Sequence, residues 1–301
     1  MSKTCGFLTI ATGNDIYFQI AVNLLRSYRL FSADPLPFAI ITDRENVYTA
    51  EFDDVVILPN ATCSYLDKLE MFNYLPYDVN IFIDADCLAY DDLNVFFDYF
   101  EQADDFSCGG RVLPLDDKTG WFEYENLGPL QSEVDYVVGL HGGIYYMRRT
   151  EECRGIFETA RRFSKNYADY GFKGKFSTPG DEPLIALSMA VNHMKPIKMA
   201  AEAMTVYWEH EHDMHLDLTH GKAEICSEQQ SVRLLHWGTR FCKTPLYQKQ
   251  VAQLELLRRG AGWLERMSSN MKYDWLQGMN QSYIFAERVK SKVKRTLQGR
   301  R

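Results

Sequence analysis

The stretch Asn80-Ile81-Phe82-Ile83-Asp84-Ala85-Asp86-Cys87 constrains this chain more than any other. An apolar, β-forming run leads straight into two carboxylates one residue apart. A short apolar run bounded by turn signals fits a strand buried on both faces, the kind that builds a parallel sheet. Asp84 and Asp86 then fall at the C-terminal end of that strand, where open α/β sheets place their ligand crevice. Residues i and i+2 of a strand point the same way, so both carboxylates are expected to reach one cation. Two anionic groups this close repel each other, and a divalent metal is the usual positive partner. Taken alone, Asp-x-Asp also fits a solvated strand-to-loop turn. The rest of the chain decides between the two.

Residues 7–12 read as a first strand, closed by Gly13-Asn14-Asp15, with Asp15 placed to cap the helix after it. Ile16, Ile20, Leu24 and Tyr28 recur at helical spacing. Residues 37–42 and 55–58 predict two more strands, and strand, helix, strand in this order is a βαβ unit. Helices are expected over 66–74 and 93–99, and a strand over 106–108. Residues 111–133 hold Pro114, Gly120, Gly128 and Pro129 with Trp121, Phe122 and Tyr124 between them, and read as a lid or acceptor-side loop. Strands over 134–138 and 144–147 flank Gly139-Leu140-His141-Gly142-Gly143. An amphipathic helix over 151–167 comes next, then a Gly/Lys/Phe-rich loop over 171–180. A helix over 181–194 opens with Asp181-Glu182-Pro183: proline suits the first turn, and the acids sit at the positive end of the helix dipole. His210, His212, His215 and His220 lack a clear ligand spacing and read as a solvated polar loop rather than a zinc site. A strand over 231–236 ends at His236, followed by Trp237-Gly238-Thr239-Arg240, and after Pro245 the chain reads as helical to its end.

Composition narrows the function classes. A net charge of −8 argues against a nucleic-acid binder whose whole surface is the footprint. Hydrophobic residues at 46% supply the core of a large α/β domain with an appendage. Cysteines at 5, 63, 87, 108, 153, 226 and 242 form no Cys-x-x-Cys pair and read as reduced thiols of a cytosolic protein. The first apolar run is too short for a signal peptide, and no stretch is long enough to span a bilayer. The expected location is cytoplasmic, with attachment to a membrane only at its surface as the alternative.

Several weak signals line up in order. Ala11-Thr12-Gly13-Asn14-Asp15-Ile16-Tyr17 comes after the first strand; Lys68 stands in Leu66-Asp67-Lys68-Leu69; then come Asp84-Ala85-Asp86, His141-Gly142-Gly143, Gly180-Asp181-Glu182 and His236-Trp237-Gly238. Over residues 5–250 this order resembles the GT-A type glycosyltransferases, most of all the family-8 retaining enzymes that include glycogenin and the lipopolysaccharide galactosyltransferases. The resemblance implies a Rossmann-like GT-A α/β fold, with a mostly parallel central sheet flanked by helices, over residues 1–250. A helical C-terminal extension with a basic tail would occupy 251–301. It implies transfer of a hexose from a UDP-sugar to a glycan, lipid-linked or protein acceptor, with retention and with Mn²⁺ or Mg²⁺ bound. Asp84, Asp86 and His236 would hold the metal, a donor set that suits Mn²⁺. Ala11, Thr12, Asn14 and Tyr17 would cradle the uridine, with Gly13 as an insertion; Tyr17 reads equally as a core helix residue. Lys68, Asp84, Ala85, Gly142, Gly143 and Gly238 would meet the donor, and Arg240 or Lys243 would hold its β-phosphate. Asp181 and Glu182 would sit at the reacting carbon.

The chain also departs from the family pattern. His141 stands where the family has asparagine, which opens the question of the sugar. Gly238 comes after the metal histidine one residue early, and Glu182 replaces a glutamine. Glu182 would either steady positive charge in a front-face reaction or act as nucleophile in a double displacement, as carboxylates do in retaining glycosidases. Two other readings are a nucleotidyltransferase that makes sugar nucleotides and a non-catalytic glycan- or nucleotide-binding module. The first lacks its basic Gly-rich signature after strand one; the second has no need of a metal set. Residues 288–301 carry seven basic residues and no acid. They read either as a contact for anionic membrane or as a solvated terminal helix.

Overall fold

The computed structural model describes residues 4–170, 172, 180–200 and 202–279. The chain forms two compact units, residues 1–205 with 232–236, and residues 206–231 with 237–301. The first unit runs β1 (Cys5–Ala11), α1 (Asp15–Phe31), β2 (Phe38–Thr42), β3 (Asp54–Ile57), β4 (Val79–Ile83), β5 (Cys87–Ala89), α2 (Phe96–Tyr99), β6 (Phe106–Leu113), β7 (Val137–Arg148), α3 (Glu151–Lys165) and α4 (Asp181–Val191). Further along come β8 (Met204–Val206), the second unit's β9 (Met214–Asp217), β10 (Lys222–Ile225) and β11 (Gln230–Ser231), then β12 (Leu234–His236) and α5 (Pro245–Arg258).

A six-stranded sheet of order β3-β2-β1-β4-β7-β6 forms the centre of the first unit. β1 to β4 run parallel to one another, and β7 runs antiparallel to both β4 and β6. Strand order reverses at β1, with β2 and β3 on one side and β4 on the other, which leaves a crevice beyond the strand ends. Ile81, Phe82 and Ile83 of β4 are wholly buried, as a strand covered on both faces must be. Adjacent residues of β1 point to opposite faces. Phe7 packs edge-on against Tyr28 of α1, with ring centroids 4.9 Å apart. Leu8 joins the cluster of Phe82, Tyr145, Phe157 and Leu184 beneath α3 and α4. The chain is thus a mixed α/β protein with a mostly parallel central sheet flanked by helices.

Local structure departs from the sequence reading at several points. Asn14, not Asp15, caps α1: its extended backbone lets Oδ1 accept from Ile16 N at 3.0 Å. Asp15 is already helical and pairs with Arg44. Residues 65–74 wind as a 3-10 helix, Tyr65–Tyr74. The two strands expected around Gly139–Gly143 are one continuous strand, β7. Glycine inside a strand marks a close approach, and a Cβ at Gly110 would lie 2.4 Å from Gly139 O. A register shift between Cys108 and Gly110 accommodates the crowding. Residues 111–133 pack onto β7, where Trp121 Nε1 donates to Leu140 O at 3.0 Å. The strand expected over 231–236 is split between β11 and β12.

In the second unit, β9, β10 and β11 form an antiparallel sheet in the order β11-β10-β9. Trp237 is buried and stacks on Tyr207 at 4.6 Å. The helical run after Pro245 is interrupted at Gly260, whose φ of +65° ends α5 in the left-handed conformation. A further helix covers 263–279. The basic run 288–301 and most of the loop 171–180 lie outside the described residues. Among the described residues, no helix is long and apolar enough to cross a membrane.

The loops after β1 and β3 are joined through one buried side chain. Asp67 accepts from Thr12 Oγ1 (2.8 Å), Thr62 N (2.7 Å), Thr62 Oγ1 (2.7 Å) and Cys63 N (2.9 Å). Asp67→Ala leaves these donors unmatched and is expected to lower the unfolding free energy by about 2–4 kcal/mol. Denaturant unfolding measures it; a loss below about 1 kcal/mol contradicts the assigned role of Asp67.

Candidate active site

β4 stops at Ile83, so Asp84-Ala85-Asp86 is a turn, closed by Cys87 N donating to Asp84 O at 3.1 Å. The alternation of strand side chains therefore does not orient the two acids. The strands around the turn do. Asp84 N donates to Gly143 O of β7 at 3.0 Å. β5 pairs antiparallel with β12, setting Cys87 opposite His236. His236 Nε2 then lies 3.0 Å from Asp86 Oδ1 and 3.8 Å from Asp84 Oδ2. The ring fits only because position 143 has no side chain: a Cβ there would sit 2.9 Å from His236 Nδ1.

A second group of charges adjoins the first. Lys68 Nζ bridges Asp84 Oδ1 (2.7 Å) and Asp181 Oδ2 (3.0 Å), and Tyr145 OH donates to Asp181 Oδ2 at 3.2 Å. Glu182 Oε1 accepts from Gly142 N at 2.7 Å. A Cβ at Gly142 would lie 2.6 Å from Glu182 Cγ, so both glycines of the pair are required by what approaches them.

Burial and like charge shape the protonation of these groups. Burial, then the charge of Asp181, pushes Glu182 up to about 7, against the Gly142 hydrogen bond. Burial raises Asp84 above the usual carboxylate range, although Lys68 opposes it. Burial disfavours the charge on Lys68, but Asp181 and Asp84 outweigh it and hold the ammonium firmly protonated. Burial also opposes charge on His236, yet Asp86 prevails and raises its pKa. His141, with its ring 6.1 Å from that of His236, is pushed down to about 4 by burial and then by His236.

Four carboxyl groups thus crowd around one lysine and two imidazoles. Two carboxylates and an imidazole in residual negative charge fit a divalent cation such as Mn²⁺ or Mg²⁺. Sequence reasoning missed a fourth candidate donor. Asp86, Cys87 and His236 offer ligand atoms within 4.8 Å of one another. Its signal was plain adjacency to Asp86, but only the β5–β12 pairing turns Cys87 toward the histidine. Among the described residues, no such group includes His210, His212, His215 or His220.

The remaining expected residues are spread over both units. Ala11 ends β1, Thr12 bonds Asp67, and Asn14 caps α1. Tyr17 is 39% exposed on the first turn of α1, which removes it from the core. Ala85 is buried in the acid turn. Gly238, Arg240 and Lys243 belong to the second unit. Gly238 takes a φ of +72°, Arg240 lies 4.6 Å over the Phe241 ring, and Lys243 ends the short 3-10 helix Phe241–Lys243.

Two solved structures of the galactosyltransferase LgtC are similar to this chain. One is in complex with donor and acceptor sugar analogs, and the other is an active-site mutant. Each is 11% identical, and the match covers 77% of this chain and 87% of that one, with TM-scores of 0.47 and 0.48. No family model matches the chain, and no curated protein does. At this level of likeness the chemistry rests on the side chains themselves.

Two measurements test the site. Gly143→Ala should displace the His236 ring and lower Mn²⁺ affinity about 10–100-fold by calorimetry; unchanged affinity means the ring takes no part. In metal-free protein, the Glu182 carboxyl should titrate near pH 7 by carbon NMR. A nearby cation favours the ionised form, so Mg²⁺ should move that titration to lower pH in the parent and not in Asp86→Asn.

Proposed function

We propose that this protein is a metal-dependent GT-A glycosyltransferase that moves a hexose from a UDP-sugar to a glycan, lipid-linked or protein acceptor with retention of configuration. The observation that carries this reading is the convergence of Asp84, Asp86 and His236 beyond the end of β4, at the switch point of the sheet. Residues 1–250 would be the catalytic domain and 251–301 a C-terminal extension to it. A divalent cation held by those three side chains would neutralise the diphosphate of the leaving group.

The chain's own residues supply the rest. Tyr17, accessible beside the end of β1, stacks on the uracil, and Ala11, Thr12 and Asn14 line the uridine pocket. Lys68 bridges Asp84 and Asp181 and fixes them against each other. Electrostatic stabilisation of the departing diphosphate contributes most to the rate. Glu182, held by the Gly142 N–H, presents its carboxyl to the anomeric carbon. In a front-face reaction it steadies positive charge on the sugar while the acceptor's proton passes to the leaving phosphate oxygen. In a double displacement its ionised form attacks instead. His141, neutral at pH 7, offers a ring nitrogen to a sugar hydroxyl.

A screen of UDP-sugars with Mn²⁺, reading UDP release, tests the activity. Asp86→Ala should lower kcat/KM at least about a hundredfold while circular dichroism stays unchanged, since metal-site ligands matter at least as much as their outer partners. Full turnover by that variant in chelator overturns the metal assignment.

A further inference from the structure

The helix over 263–279 leaves a row of large apolar side chains in solvent. Trp263, Leu264, Met267, Met271, Trp275 and Met279 are 68, 59, 47, 65, 64 and 52% exposed. Five of them recur every fourth residue, and Leu264 falls between the first two. At 3.6 residues per turn all six lie within an arc of about 160° and span about 24 Å of helix. Isolated apolar residues on a surface need no explanation, but a continuous row does. The helix uses other residues to pack on α5. Asn270 accepts from Gln253 Nε2 at 3.0 Å, and Asp274 pairs with Lys249 Nζ at 2.6 Å.

The sequence beyond this helix indicates what the row meets. Residues 280–301 lie outside the described residues and enter only as sequence. They include Arg288, Lys290, Lys292, Lys294, Arg295, Arg300 and Arg301, with no acid after Glu287, on a chain of net charge −8. An apolar stripe with two tryptophans, followed from residue 288 by a basic run, matches a surface that is apolar beneath and anionic above. The positive run complements anionic lipid and repels the same run of a second copy.

We propose that helix 263–279 lies flat on an anionic lipid surface, with Trp263, Leu264, Met267, Met271, Trp275 and Met279 in the headgroup boundary. The apolar row supplies depth of insertion, and residues 288–301 supply attraction that salt screens.

The test is sedimentation of the full chain with vesicles of phosphatidylcholine alone or mixed with phosphatidylglycerol. Binding is expected to the mixed vesicles and to weaken in high salt. The triple variant Trp263→Ser, Met271→Gln, Trp275→Ser keeps every basic residue and should partition at least about tenfold less, because its apolar area is reduced. Circular dichroism checks its fold. Should it unfold, quenching of wild-type tryptophan fluorescence by brominated acyl chains decides in its place. No binding to mixed vesicles, equal binding by the folded triple variant, or absence of quenching overturns the proposal. So does light scattering that shows a dimer which the triple variant converts to monomer, since a second copy then covers the row.

Discussion

The buried charge beyond β4 is the constraint on which the rest of the site depends. Asp84, Asp86, Asp181 and Glu182 are withdrawn from bulk water, and a charge there persists only when it is paired. Lys68 answers two of them at 2.7 and 3.0 Å. Asp86 leans on His236 and makes that imidazole a better base. Glu182 has a backbone N–H and Asp181 beside it, and responds by holding its proton to about pH 7. The cluster therefore balances itself partly with protons. A divalent cation held there would displace them, so its uptake would be coupled to proton release.

Backbone, more than side chains, brings these groups into range. The antiparallel β7 runs beside the parallel β4 and presents Gly142 and Gly143 where two other elements must come close. Gly143 O holds the start of the acid turn, and the missing Cβ beside it admits the His236 ring. Gly142 N holds Glu182 from the first turn of α4. The short pairing of β5 with β12 finishes the arrangement by setting Cys87 across from His236. An antiparallel strand inserted into a parallel sheet thus acts as the frame on which side chains from β12, α4 and the acid turn are registered.

Much of this was legible in the residue order, for reasons that can be named. β4 showed as a short apolar run because both its faces are buried, and α1 showed through the spacing of Ile16, Ile20, Leu24 and Tyr28. That Asp84, Asp86 and His236 would converge was suggested by residue type and by position at strand ends. What the sequence hid is what long-range packing decides. Glycine punctuation suggested a break inside β7, whereas the glycines serve close approach within a continuous strand. The orientation of Asp84 and Asp86 came from a turn and not from strand alternation. Lys68 was expected to meet the donor, but nothing local announced its pairing with Asp181, over a hundred positions later. Cys87 was invisible as a neighbour of His236 because nothing local says which strand will lie opposite.

The lateness of β12 has a consequence for how the protein comes into being. A nascent chain that has emerged only as far as α4 already holds both acids of the turn, Lys68 and Glu182, but lacks the imidazole and the strand that bears it. Synthesis proceeds from the N-terminus, and the second unit's three strands must be made before β12 can pair with β5. Assembly of the Asp84, Asp86 and His236 cluster is therefore among the last events of maturation, and a growing chain holds the two acids of the turn before the imidazole that meets them has been made.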